Sequence, residues 1–312
     1  MPVSSSLTVN NALRLVVDHC NQLRDKDLSS EVVSLRESYG RILAESVYLD
    51  TDQPPFDRSM RDGYAVLSED IQKLPARLKY LGEVKAGEVS SLRLKKGEAL
   101  QIMTGAPVPA GADAVVMVEY TERPNSDEVT ILKSSISKSN IALKGSERKV
   151  GDLLVSKGDR LGSIELGGLA SVGKSQISLF KRPTVGILAT GDELVMPGEP
   201  KRPDQIISSN SVALSAYVRV LGGEPIDLGI ARDTPESFRQ TLAGAENADA
   251  LVTIGGASVG DFDLVRQVLA EDELDLNFYK IAMRPGKPLI FGRLGDVAVL
   301  GLPGNPVSAG VT

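Results

Sequence analysis

The chain has 312 residues, a hydrophobic fraction of 42% and a formal net charge of −6, enough length and apolar content for two or more domains with real cores. A single cysteine, Cys20, excludes an internal disulfide, and a single histidine, His19, leaves too few soft ligands for a zinc site. The acidic balance, with basic residues scattered and no aromatic-studded stripe, argues against a nucleic-acid surface, while no apolar run nears the roughly 18 residues that span a bilayer and Met1–Ser6 lacks the parts of a signal peptide, so no membrane association and a cytoplasmic location are expected.

Without histidine and cysteine to draw on, catalysis would fall to carboxylates, Lys/Arg, hydroxyls, backbone amides and a hard metal. Both rare residues sit in Asn11–Leu23, where Leu13, Val16, Val17, Cys20 and Leu23 follow helical spacing, and both read as structural. Thr8 predicts the N-cap of this first helix, which ends near Arg24. Val32–Leu35 reads as a short strand and Tyr39–Val47 as a compact helical turn, after which the prolines of Asp50–Pro55 mark a boundary. The segment Pro55–Tyr64 is crowded with charge yet bracketed by aromatics, which points to a functional loop.

From Ala65 to about Lys144 the pattern is of short strands, at Arg77–Val84, Ala99–Thr104, Ala114–Tyr120 and Val129–Lys133, separated by Gly, Pro and Asp/Asn turns. Met103–Asp113 is rigid and turn-rich, fit for a structural hairpin or for one wall of a cleft. Gly145–Pro183 offers a strand at Leu153–Ser156, a helix at Ser163–Val172 and a strand at Gln176–Phe180, which rejoin the N-terminal helix as a discontinuous domain. After Pro183 come strand Thr184–Thr190, helix Ser211–Leu221, strand Pro225–Ile230, helix Pro235–Ala245, strand Ala250–Ile254 and helix Asp263–Ala270. Such alternation implies a parallel sheet, with ligands bound beyond the carboxyl ends of its strands.

The polar loops fall at those ends. Thr190-Gly191-Asp192-Glu193, Ala231-Arg232-Asp233, Gly255–Asp261, Arg284-Pro285-Gly286-Lys287-Pro288 and Gly301–Pro306 converge on one rim. The apolar run Ala250–Ile254 ends at Gly255-Gly256, where chain without Cβ atoms can turn its N–H groups onto an anion, with Ser258 as a further donor and a helix start beyond. A ligand-free βα turn is the alternative reading of that loop. Asp192 or Glu193 is placed to hold a hydrated Mg²⁺ beside a bound phosphate. Arg284 and Lys287, stiffened by flanking prolines, are placed to grip an oxyanion.

Phe56-Asp57-Arg58-Ser59-Met60-Arg61-Asp62-Gly63-Tyr64-Ala65, Ile102–Asp113, Thr190–Leu194, Thr253–Asp261, Arg284–Pro288 and Gly301–Ser308 occur in the order and approximate spacing of the MoeA family. The chain resembles these molybdopterin molybdenumtransferases, gephyrin E-domain-like proteins, from about residue 8 to 312. The resemblance implies an α/β multidomain fold. Residues 1–50 and 146–182 would form a discontinuous α+β linker domain, 51–145 a β-rich domain, and 183–312 a MogA/MoaB-like doubly wound α/β domain, with the C-terminal β domain of the family absent and the chain a truncated form.

It also implies a homodimer with a composite inter-subunit cleft. There molybdate would be inserted into adenylylated molybdopterin with release of AMP in a Mg²⁺-assisted reaction. Asp62, Asp192, Glu193 and Lys287 would be catalytic. Thr104, Ser209, Asn210, Asp233, Gly255, Gly256, Ser258, Gly260, Asp261, Arg284, Pro303, Asn305, Pro306 and Ser308 would bind substrate, with Asp192, Glu193 and Glu147 at the metal. Departing from the family's Arg-rich run, Ala142–Glu147 keeps only Lys144 and carries Glu147 as its acid. Alternatives are a non-catalytic molybdopterin-binding or scaffold fragment and a MogA-like adenylyltransferase, the latter also a possible partner.

Overall fold

The computed structural model describes residues 7–24, 28–255, 265, 268 and 274–312. The helices used below are α1 (Val9–Arg24), α2 (Ser163–Ser171), α3 (Asn210–Leu221), α4 (Pro235–Leu242) and α5 (Pro306–Val311). The chain divides into two compact units. One comprises residues 1–33, 38–44 and 178–312; the other comprises 34–37 and 45–177.

The second unit is built on a six-stranded sheet of β1 (Gly63–Val66), β2 (Ala76–Val84), β3 (Glu98–Ile102), β4 (Ala114–Met117), β5 (Thr121–Glu122) and β6 (Glu128–Ile131), in the order β4-β1-β3-β2-β6-β5. Only β2 and β3 run parallel; the other pairings are antiparallel. Strand β1 is buried along its whole length, with Tyr64 and Val66 in one core and Ala65 in another. Burial on both faces erases the alternation that would have marked β1 in the sequence. In the same unit Leu153–Val155 pairs with Val47–Tyr48, and α2 follows at the position expected.

The first unit carries the other six-stranded sheet, of β7 (Thr184–Thr190), β8 (Glu224–Ala231), β9 (Ala250–Ile254), β10 (Asp275–Tyr279), β11 (Ile290–Leu294) and β12 (Val297–Leu302), ordered β8-β7-β9-β12-β11-β10. Its first four strands are parallel, as the βα alternation predicted. The sheet is nevertheless mixed, because β11 is antiparallel to both β10 and β12. The turn Leu294–Val297 closes a hairpin through Gly295 at φ +58, too tight for a crossover helix.

Alternate residues of the central strands enter different cores. Leu251, Ile290 and Val299 join Leu188, Ala231 and Phe238 of α4, whereas Val252, Phe291 and Leu300 join Ala12 of α1, Leu214 of α3 and Ala309 of α5. The sheet is therefore covered on both sides, a doubly wound arrangement. Phe238 is fully buried, and removing it from water stabilises this layer by about 1.5–3 kcal/mol. Of the helix expected over Asp263–Ala270, Val265 and Val268 are described; both are helical and fully buried in the α4 core.

Helix α1 begins as expected, with Asn11 N donating to Thr8 Oγ1 at 3.4 Å. Its buried face differs from the expected one. Ala12 and His19 are buried, with Leu15 and Val16 beside them, while Leu13 is 61% and Val17 45% exposed and Cys20 is exposed. His19 meets Phe291 edge-on, with ring centroids 5.6 Å apart. The helix thus packs on the α/β sheet, which offers Phe278, Ile281 and Phe291, rather than joining residues 146–182 as the sequence suggested. The expected helical turn at Tyr39–Val47 is absent: Gly40 takes φ +74, Arg41 is drawn inward to Glu31 Oε1 at 2.5 Å and to the Phe180 carbonyl at 2.9 Å, and Leu43 bridges to Leu179. That buried cation needs both partners, and a helix would point it away from them.

Candidate functional site: a strand-end rim and an acidic loop

All five rim loops leave the same edge of the first unit's sheet. The loop after β10 belongs there because β10 and β12 are both antiparallel to β11 and so share a direction. In strand order the loops read Asp233, Asp192–Glu193, Gly255, Pro303–Asn305 and, beyond β11, Arg284–Lys287. Asp192, Glu193 and Asp233 cluster at one end of the edge, with Arg232 bracing their loops, and Arg284 and Lys287 stand at the other. From β7 to β10 is four strand steps, roughly 19 Å at about 4.8 Å each.

At the acidic end, the Asp192 N–H donates to Asp233 Oδ2 and the Asp233 N–H to Asp192 Oδ1, each at 3.4 Å, while Thr190 Oγ1 donates to Asp233 Oδ1 at 3.0 Å. Arg232 ties the two loops together, its Nη1 donating to the carbonyls of Asp192 at 3.3 Å and Leu194 at 3.4 Å. The Glu193 carboxylate lies over Gly191, where an added Cβ would stand 2.8 Å from Glu193 Cδ. The sequence reading singled out neither Thr190 nor Arg232. Both act through backbone and side-chain partners some 40 residues away, which no local pattern shows.

At the centre, Gly255 takes φ +86 and its N–H donates to the Leu302 carbonyl at 3.0 Å, and a Cβ there would fall 2.7 Å from the Thr190 carbonyl oxygen. Only glycine permits this approach of two rim loops. Gly256, Ser258, Gly260 and Asp261 lie outside the described residues. Asn210 Nδ2 donates to the Gly304 carbonyl at 2.9 Å. Ser209 precedes α3 without capping it through its side chain. Pro303 is buried. Asn305 Oδ1 accepts from Val307 N at 3.0 Å and Ser308 N at 3.3 Å, with Pro306 opening α5, so Asn305 and Pro306 serve first as the start of a helix whose Ser308 is buried.

At the cationic end, Arg284 and Lys287 are exposed and make no ion pair among the described residues. Gly286, between them, is buried at φ +108, and a Cβ there would strike Met283 Cε at 2.5 Å. The loop is pinned at its base by Ile281 N to the Lys287 carbonyl and Lys280 N to the Leu289 carbonyl, both 3.0 Å.

In the second unit, Asp62 precedes β1 and its Oδ1 accepts from both the N–H and the hydroxyl of Thr104, each at 2.7 Å. Those bonds hold the Asp62 carboxyl below the ordinary carboxylate range. Glu147 is paired with Arg58 at 3.0 Å. Among the described residues no group of three or more His, Cys, Asp or Glu side chains is placed to hold a metal ion. The paired carboxylates of Asp192 and Asp233 do suit Mg²⁺, which keeps most of its waters and takes one or two carboxylates beside substrate phosphates.

Comparison with known proteins agrees with this architecture. The family described as the MoeA N-terminal region (domain I and II) matches residues 7–173, and that described as a probable molybdopterin binding domain matches residues 186–312. A molybdopterin molybdenumtransferase of Nostoc sp. is 38% identical over 92% of this chain and 68% of its own length; one of Haemophilus influenzae is 38% identical over 91% and 70%. The crystal structure of the molybdopterin biosynthesis MoeA protein of Pyrococcus horikosii superposes with a TM-score of 0.80 at 38% identity, covering 94% of this chain and 75% of that one. Two-unit architecture and matched domains define a MoeA-type transferase of molybdenum cofactor biosynthesis. The chain belongs to the molybdopterin molybdenumtransferase family, and it spans about two thirds of the length of these curated relatives.

Proposed function

We propose that this protein inserts molybdate into adenylylated molybdopterin and releases AMP. The observation that carries the reading is the charge distribution along the strand-end edge: Asp192 and Glu193, with Asp233 one strand further out, at one end, Arg284 and Lys287 roughly 19 Å or more away, and the close Gly255 turn between them. An extended substrate with an internal phosphoanhydride needs such a spread. Its phosphates would lie over the glycine turn, where Ser209 and Asn210 would supply donors and the residues Gly256, Ser258, Gly260 and Asp261 are expected to add theirs, with Pro303–Pro306 and Ser308 shaping the wall.

Arg284 and Lys287 would hold molybdate and the pterin-side phosphate, their stiff frame reducing the entropy lost on binding. Asp192 and Asp233, with Glu193, would hold Mg²⁺, whose charge would offset that of the substrate phosphates. Positioning and charge stabilisation dominate phosphoryl chemistry, so the scarcity of histidine and cysteine is no obstacle. Asp62, kept ionised by Thr104, would be supplied with it by the β-rich unit of a second copy, in a cytoplasmic homodimer fed by a MogA-like adenylyltransferase.

No helix among the described residues is long and apolar enough to cross a membrane. The test is AMP release from adenylylated molybdopterin with molybdate present, by the wild-type chain and by Asp62→Ala and Glu193→Ala. Turnover is expected to vanish in both variants while the fold persists. Undiminished AMP release in both would overturn the assignment, and a wild-type chain that binds substrate without turnover would favour a scaffold.

A further inference from the structure

A cavity of about 410 Å³ opens in the second unit, within the roughly 300–1,000 Å³ range of small-molecule sites. It lies between the turn that follows β4 and the returning segment 133–140. The Val118 N–H donates to the Asp62 carbonyl at 3.1 Å, and the Met60 N–H to the Asn140 carbonyl at 2.9 Å, so both walls are tied to the acidic loop.

The lining combines one cation with several neutral donors: Lys133, Ser134, Ser135, Ser139 and Asn140. Lys133 Nζ rests 4.1 Å from the centroid of Tyr120 and makes no ion pair among the described residues, and no carboxylate lines the cavity. The ring restrains the ammonium without neutralising it. Asn140 stands at φ +57, with Nδ2 donating to the Val115 carbonyl at 2.8 Å, which fixes its carboxamide and leaves its second N–H to spare. Met117, Tyr120 and Ile136 add apolar surface.

We propose that this cavity binds a small organic molecule through a phosphate group, the oxyanion held by Lys133 and the neighbouring hydroxyls and the organic part laid against Met117, Tyr120 and Ile136. An unneutralised cation ringed by neutral donors selects an anion, and a volume with an apolar wall exceeds the needs of a bare oxyanion. The proposal stands apart from the transferase reading, since none of its lining residues has a role there.

The probes are AMP, inorganic phosphate and adenosine, titrated into the full chain while the backbone amide resonances of Ser134, Ser135 and Ser139 are followed. AMP is expected to shift these amides saturably, more tightly than either phosphate or adenosine, and Lys133→Gln to weaken that binding by about ten-fold or more. Ser135→Ala, a second variant of the lining, should weaken it by a smaller factor. Absent shifts, shifts indifferent to both substitutions, or phosphate binding as tightly as AMP would overturn the proposal. AMP bound at the strand-end rim would keep its affinity in Lys133→Gln, so loss of the shifts on that substitution distinguishes this cavity from the transferase site.

Discussion

Gly63 offers the sharpest test of how the acidic loop is held. It is buried in β1 directly after Asp62, opposite Met117 of β4. In Gly63→Ala the new Cβ would penetrate the Val116 carbonyl oxygen and stand 2.8 Å from its carbon and 3.0 Å from Met117 Cα. All three are backbone atoms, so no rotamer relieves the clash. Ordinary carbon contacts begin near 3.5 Å, so β1 and β4 must part by roughly 0.7 Å or more. Overpacking of this kind costs about 1–3 kcal/mol, and one or two stretched ladder bonds add about 1 kcal/mol each, for a total of about 2–5 kcal/mol. At about 4 °C per kcal/mol the midpoint of the second unit should fall by roughly 8–20 °C. The assay is amide hydrogen exchange resolved over residues 45–177, since the chain's two units need not unfold together. Gly167→Ala is the control: Gly167 lies inside α2 with open space around its missing Cβ, and alanine there should stabilise by about 0.5–1 kcal/mol. A Gly63→Ala protein within about 0.5 kcal/mol of wild type would refute the steric argument.

Thr104→Val removes one of the two donors to Asp62 and keeps the other, so the Asp62 pKa should rise towards its ordinary value, read from its carboxyl carbon in an NMR titration. The sign follows from linkage: a folded-state pKa lowered from 3.8 gives stability that is present above that value and lost as the pH falls through the folded pKa, and the substitution should narrow that acid window. An unmoved titration would mean that the hydroxyl bond is not made in solution. Thr234→Ala should cost about 1 kcal/mol in denaturant unfolding, because Thr234 Oγ1 accepts from Ser237 N at 3.2 Å to cap α4, and a loss below about 0.3 kcal/mol would remove that cap from the account.

The strand-end loops and the acidic loop were legible from residue type and spacing, because turns need Gly and Pro at fixed places and because anions need donors there. Thus the turns at Gly255 and Gly286 and the loop Pro55–Tyr64 were marked directly, Asp62 taking its expected role only from the family resemblance, and the strands Thr184–Thr190 and Ala250–Ile254 were read from their β-branched apolar runs. What the sequence concealed depends on neighbours distant along the chain. Strand β1 lacks alternation because both of its faces are covered; β11 interrupts a parallel sheet because a tight turn returns it beside β12; and Ala12 and His19 of α1 are buried because Phe278 and Phe291 lie opposite. The bracing of Asp192 by Arg232 and Asp233 likewise arises only when β7 and β8 pair. Local chemistry and periodicity determined what each segment is able to do, since they rest on covalent geometry and the preferences of single residues. Which face is buried, which strand runs backwards and which acids meet were decided by tertiary packing, because those are properties of pairs that the chain brings together only on folding.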